Sequence, residues 1–273
     1  MKPKQEWSEP AVIVKPGTRI QLKNIDPAAL PAIGKQDAKA IVEENAKAID
    51  ELQDRLYAEG RRALLVILQG TDCSGKDGTI RAVFNITGPI GVQVTPFKAP
   101  TAEELAHDFL WRVHKAVPAK GMIGIFNRSH YEDVLIVKVK QLAPAEEIER
   151  RYEQINRFEQ HLSEAGTVIL KFMLHISKAE QKKRFEERLA KREKQWKFNP
   201  GDLGDRKLWD AYQAAYETML SRCSSEYAPW HVIPADRNWV RNLSISGIVR
   251  QTLERLRPQY PAPKWKPSDF VIP

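Results

Sequence analysis

The sequence predicts an α/β protein, a three-layer α/β/α sandwich on a central parallel sheet, and three observations predict it. Apolar runs of strand length recur along the 273 residues, and segments with helical spacing of apolar residues separate them. The run ALLVILQG (63–70) also leads directly into a glycine-rich loop, GTDCSGKDGTI (70–80). Strands alternating with helices are the pattern of a parallel sheet covered on both faces, because each parallel pair needs a crossover.

The elements follow in order. Residues 1–35 carry Pro3, Pro10, Pro16, Pro27 and Pro31, too closely spaced for a helix, and read as an extended arm. Ala40, Ile41, Ala48, Ile49, Leu52 and Leu56 give 36–59 an amphipathic helical pattern, either covering the sheet or forming a subunit interface. ALLVILQG has the continuous apolarity of a central strand buried on both faces. Similar runs at 91–97, 121–127, 167–176 and 230–235 predict the remaining strands. Helices are expected at 76–86, 101–116, 129–138, 145–164, 177–195, 206–224 and 239–256. Residues 36–257 then form one catalytic domain, and 258–273 a second proline-rich arm.

Composition narrows the classes. Forty-three Lys and Arg against thirty-five Asp and Glu leave a net charge of +8, a field that attracts polyanions without choosing among them. No apolar run approaches the roughly 18–20 residues of a membrane-spanning helix, so no membrane partner is expected. The opening MKPKQEWSEP lacks the apolar core of a secretory signal, and Cys73 and Cys223 make no disulfide framework; both suit the cytoplasm. The histidines show no metal-ligand spacing.

The loop carries the chemistry. A phosphate-binding loop reads G-x-x-x-x-G-K-S/T after a strand and before a helix, and this one keeps the glycines and lysine but has Asp77 in place of the hydroxyl. Gly70 and Gly75 let the backbone approach a phosphate, the N–H groups of Cys73, Ser74, Gly75, Lys76, Asp77 and Gly78 donate to it, and Lys76 adds a point charge. A tight βα turn with a surface lysine is the plainer alternative. Asp72 and Asp77 repel a phosphate unless a divalent cation lies between, which points to Mg²⁺. Asp72 is the candidate to hold the metal or the accepting oxygen; Asp77 either does the same or favours the helix dipole.

GTDCSGKDGTI, followed by TPFKAPT, DFLWRVH and FNRSHYEDV, resembles the polyphosphate kinase 2 family from about Ala63 to Trp239. The resemblance implies a P-loop kinase-like fold with a helical lid at about 182–206, assembled as dimers or tetramers. It implies Mg²⁺-dependent, reversible phosphoryl transfer from inorganic polyphosphate to nucleotides, with Asp72 and Lys76 on the family's G-x-D-x-x-G-K pattern. The NRSHYEDV form is like the class III branch, which implies that AMP and ADP are both acceptors and ATP the final product. Many members read D-R-S where this chain has Asn127-Arg128-Ser129, so an amide replaces the carboxylate at the strand end.

Arg128 suits a bridging phosphate, or pairs with Glu132 or Asp133 one turn on. The resemblance gives Glu132 a part in reading the nucleobase, and Asp133 is a second candidate for the metal. Lys98 in TPFKAPT either lines a nucleotide channel with Arg112 and Lys115 or is solvated. Arg184, Arg188, Lys191 and Arg192 share a helical face before the break at Asn199-Pro200-Gly201, as expected of a lid that closes over phosphates; interleaved glutamates fit a solvated helix equally. Two rivals follow. An ATP-dependent nucleotide or metabolite kinase shares the fold but is disfavoured by the missing P-loop hydroxyl. A nucleic-acid-binding module would use the charge and show no turnover.

Overall fold

The computed structural model describes residues 10–270 and 272. Its strands are β1 (Val12–Val14), β2 (Ala63–Gln69), β3 (Val92–Pro96), β4 (Ile123–Asn127), β5 (Thr167–His175) and β6 (Trp230–Pro234). They form one sheet in the order β1-β6-β5-β2-β4-β3. The helices are α1 (Lys35–Glu59), α2 (Lys76–Val83), α3 (Ala102–Leu105), α4 (Trp111–Ala116), α5 (Ile136–Val139), α6 (Ala145–Glu164), α7 (Lys178–Ala190), α8 (Arg192–Gln195), α9 (Gly201–Lys207), α10 (Trp209–Arg222) and α11 (Asn238–Leu256).

β2 organises the sandwich. All its residues are buried, and it pairs in parallel with β5 on one side and β4 on the other. Because side chains alternate along a strand, Leu64, Val66 and Leu68 pack with Ile49 and Leu56 of α1, Val83 of α2 and Val249 of α11. Leu65 and Ile67 face the opposite layer, with Tyr152 and Ile155 of α6 and Tyr216 and Met219 of α10. The amphipathic face of α1 therefore covers the sheet. The register sets Leu68 opposite Asn127 and Gln69 opposite Met173, so the ends of β2, β4 and β5 share one edge, where ligands of open α/β sheets bind.

Several expected elements are cut differently. The first nine residues of the predicted arm lie outside the described residues. Its later part is no free arm: Val12–Val14 pairs antiparallel with β6 as an edge strand. The helix expected at 101–116 divides into α3, which starts in a Thr101–Glu104 capping box, and α4. Between them Asp108 accepts from the Leu110 N–H at 3.0 Å, a local bond that competes with helix. At 129–138 the Ser129 hydroxyl takes the Tyr131 N–H, opening a 3₁₀ turn over His130–Val134 before the short α5. The segment at 177–195 breaks at Lys191, which is extended, and Gln195 then caps the freed Leu189 carbonyl at 2.8 Å. The helix expected at 206–224 is instead α9 and α10, split at Leu208.

One polar cluster lies inside the layer under α6. Lys171, in the middle of β5 and fully buried, donates to Glu159 of α6 (2.5 Å), to the Tyr131 hydroxyl (2.9 Å) and to the Cys223 carbonyl (2.6 Å). Tyr131 and His130 also meet Glu159, at 2.7 and 3.2 Å, which ties the segment after β4 to the core. Burial would raise the Glu159 carboxyl, but Lys171 and His130 hold it below its usual range. Breaking such a pair strands a buried charge. Glu159→Gln is expected to lower unfolding free energy by about 3–5 kcal/mol, whereas Glu159→Leu with Lys171→Met recovers most of the loss. Urea denaturation of both variants checks this.

Candidate active site

β2 ends at Gln69 and the chain turns at Gly70, whose φ is +150°. A Cβ there would lie 2.7 Å from Ser74 Oγ and 2.8 Å from the Leu174 carbonyl, so only glycine fits. Gly75, at φ +103°, starts α2, and no side chain caps the N–H groups of its first turn. Those groups are free to receive an anion. Thr71 Oγ1 and Ser74 Oγ are buried in the loop without a hydrogen-bond partner, two more polar atoms that a phosphate or its water would satisfy. Lys76 Nζ reaches back to the carbonyls of Gly70 (2.7 Å) and Thr71 (3.3 Å). Burial, with Arg128 nearby, brings its pKa down to about 8. Cys73 takes the left-handed conformation at φ +64°, and burial pushes its thiol up to about 11, which keeps it protonated and unreactive.

Beside the loop, β4 ends at Asn127 and delivers Arg128, also left-handed at φ +64° and fixed by its N–H to the Leu68 carbonyl at 3.0 Å. A non-glycine residue held there is uncommon, and such residues gather at functional sites. Its guanidinium joins Asp72 through one nitrogen and Glu132 at 3.1 Å through the other. The Glu132 charge, then that of Asp72, raises its pKa further. Gln69 braces this group: its amide nitrogen meets Glu132 at 3.0 Å when its oxygen takes the Ser129 N–H at 3.1 Å, the orientation that satisfies both ends.

Asp77 is not a bystander of the helix dipole. One oxygen accepts from the Asn127 amide at 2.8 Å, the other from Lys197 of the lid segment at 3.2 Å. Burial would raise its pKa, but these two bonds bring it below the usual value. Asp133 lines the same cleft, where Arg151 of α6 grips it at 3.1 Å and burial pushes its carboxyl up to about 6. The carboxylates in the loop itself are Asp72 and Asp77.

The basic face expected of the lid is also divided. Arg184 spends all its N–H donors on structure: Glu180, the Cys73 and Ser74 carbonyls of the loop, and the Ala235 and Asp236 carbonyls after β6. It grips the loop rather than a ligand. Arg188 lies near the loop, bonded to the Lys197 carbonyl at 3.2 Å with Asp202 at 3.7 Å. Lys191 and Arg192 follow the break after α7 and are exposed, so they do not extend that face. Lys98 stands at the rim of a cleft of about 540 Å³ that Asp72, Arg128, Glu132, Tyr212 and Tyr216 also line. That volume is in the range of small-molecule sites. Sequence reasoning missed Lys197, Gln181 and Arg241, which contact the loop from distant elements, and Asp202, Tyr212 and Tyr216 of the cleft. No local pattern marks them.

Comparison with known proteins gives one consistent result. Residues 32–261 match the model of the family described as Polyphosphate kinase 2 (PPK2). An AMP/ADP-polyphosphate phosphotransferase of Meiothermus ruber is 52% identical over 95% of this chain and 98% of its own. An ADP-polyphosphate phosphotransferase of Rhodopseudomonas palustris is 44% identical over 83% of each. The crystal structure of polyphosphate kinase 2 from Arthrobacter aurescens TC1 superposes with a TM-score of 0.90 at 44% identity, covering 94% of this chain and 93% of that one.

A lysine is a cation below its pKa, so Lys76 loses charge as pH rises through about 8. Affinity for tripolyphosphate is expected to fall over that interval in the wild type and to stay flat in Lys76→Arg, whose guanidinium remains charged. Calorimetric titrations from pH 7 to 9.5 measure both.

Proposed function

The chain belongs to the polyphosphate kinase 2 family, and on that premise we propose that it moves the terminal phosphoryl group of inorganic polyphosphate onto AMP and onto ADP, reversibly. The observation that carries this reading is Arg128, held left-handed between Asp72 and Glu132 where the phosphate loop meets the cleft. A planar guanidinium at that junction can bind oxygens of the transferred group while Lys76 and the N–H groups of α2 hold the donor.

In the reaction the bond from the terminal phosphorus to its bridging oxygen breaks, the electron pair staying on that oxygen, and a bond forms from the terminal phosphorus to an oxygen of the nucleotide's terminal phosphate. Polyphosphate leaves one unit shorter. The attacking oxygen is already anionic, so no general base is required, and the protein's work is positioning and charge compensation. Asp72 orients Arg128 and the acceptor side of the loop. Glu132 and Lys98 line the nucleotide cleft, and Arg188 faces the donor. The reading treats residues 36–257 as one catalytic domain.

Asp72 and Asp77 fit Mg²⁺. Among the described residues no group of three or more His, Cys, Asp or Glu forms a metal cage, but Mg²⁺ takes one or two carboxylates with phosphate oxygens and water as the rest. Bound there, it would offset charge on the phosphates.

We place the enzyme in the cytoplasm as a homo-oligomer, without nucleic-acid or membrane partners. Ile90 and Val94, exposed on and beside the edge strand β3, offer apolar surface for a subunit contact. Among the described residues no helix is long and apolar enough to cross a membrane.

Polyphosphate with AMP is expected to give ADP and then ATP, polyphosphate with ADP to give ATP, and chelation of Mg²⁺ to stop both. Asp72→Asn and Arg128→Lys are each expected to lower kcat by about 10²-fold or more. Coupled luciferase detection reads ATP directly and ADP by chromatography; no nucleotide product from either acceptor would refute the proposal.

A further inference from the structure

Arg241 of α11 is 2% exposed, and every acceptor it meets is neutral. Nη1 donates to Asn238 Oδ1 (2.9 Å) and the Ser74 carbonyl (3.3 Å), while Nε and Nη2 share Asn242 Oδ1 (3.2 and 2.9 Å). Among the described residues it makes no ion pair. Lys171 has Glu159, Arg128 has Asp72 and Glu132, and Arg184 has Glu180, whereas buried Lys76, like Arg241, meets only neutral acceptors. The charge felt most at Arg241 is that of Arg184, a like one, and burial with this repulsion brings its pKa down to about 9.

Burying a cation without a counter-ion costs stability, so the position calls for a reason. The glycines supply one. A Cβ at Gly75 would lie 1.8 Å from Arg241 Nη1, and one at Gly78 would lie 3.2 Å from Nη2. Gly78 sits inside α2 with no positive φ to require it, so its missing side chain is explained by the guanidinium it admits. A glycine at the N-cap, which its φ of +103° favours in any case, and a second in the first turn of α2 leave room for a cation against the back of the loop. From there the charge lies one backbone layer from the N–H groups that open α2. In a site shielded from water a charge at that remove is weakly screened.

We infer that Arg241 is a positioning residue whose uncompensated charge destabilises the empty loop and finds its counter-ion in the phosphate bound on the other side. The inference rests on the loop being the phosphate site. It separates Arg241 from Arg184: Arg184 is paired and structural, whereas Arg241 holds charge in reserve for the anion.

The experiment compares the full-length wild type with Arg241→Met, Arg241→Lys and Lys76→Met. It reads the melting temperature without ligand and the affinity for a defined medium-chain polyphosphate by calorimetry. Arg241→Met is expected to melt at or above the wild-type temperature yet bind polyphosphate about ten-fold or more weakly, while Arg241→Lys, which keeps the charge and loses the fork, stays within about three-fold. A purely structural role predicts otherwise. If Arg241→Met fails to fold, melts below the wild type, or binds as Arg241→Lys does, the inference is overturned. Wild-type affinity in Lys76→Met would overturn the loop reading itself, and this inference with it.

Discussion

Five successive carbonyls, from Gly70 to Ser74, each accept a hydrogen bond from a side chain. Lys76 takes the first two, Gln181 that of Asp72 at 3.1 Å, Arg184 those of Cys73 and Ser74, and Arg241 shares the last. These donors come from α2, α7 and α11, so the loop is fastened from three directions by its oxygen side. The N–H groups that open α2 are left without a side-chain cap, while the Ser74 N–H, expected to donate to a phosphate, turns back to the Thr71 carbonyl at 3.1 Å. A loop with unsatisfied carbonyls would turn in its bed to pair them, because a buried polar group left alone costs about as much as a lost hydrogen bond. The fixed orientation of the N–H groups follows from the grip, which α7 supplies in largest part through Gln181 and Arg184.

The same economy governs charge. Arg128 is neutralised in place by Asp72 and Glu132, so the cleft carries no naked cation at its centre. On the proposed reading, a phosphate arriving there meets a guanidinium already aligned by its two carboxylates. The lid contributes on the same terms. Asp202 lies close to Asp72 and Arg188, and burial, then the Asp72 charge, raises its carboxyl to about 6. It is an acid held near an acid, tolerated because arginines stand on both sides.

What the sequence made legible was whatever is encoded locally. The apolar run 63–70 and the glycines announced the strand and the turn, and both stand where expected. Arg128 and Glu132 were visible as a pair one turn apart. Lys171 and Arg241 were not, because each acts on residues 12 to 167 positions away and a single basic residue in an apolar segment gives no sign of what it faces. The lid misled for a related reason. Helical spacing placed Arg184, Arg188, Lys191 and Arg192 on one face, but spacing does not report that Lys191 leaves the helix, nor that Arg184 turns inward to meet the loop carbonyls. Charge shows what a side chain carries, not which neighbours compete for it.

The two departures from the ordinary phosphate-loop pattern explain each other. Where that pattern puts a hydroxyl after the lysine and a carboxylate at the neighbouring strand end, this chain has Asp77 and Asn127. They meet at 2.8 Å, amide donating to carboxylate. An aspartate at 127 would set two like charges at hydrogen-bond distance, and a serine at 77 would carry neither the charge nor the second oxygen that meets Lys197. Exchanging both roles keeps one donor, one acceptor and one negative charge at the junction of the loop and β4. It also moves the charge onto α2, where the longer side chain reaches the lid through Lys197. The carboxylate that stands in place of the hydroxyl links loop, strand end and lid.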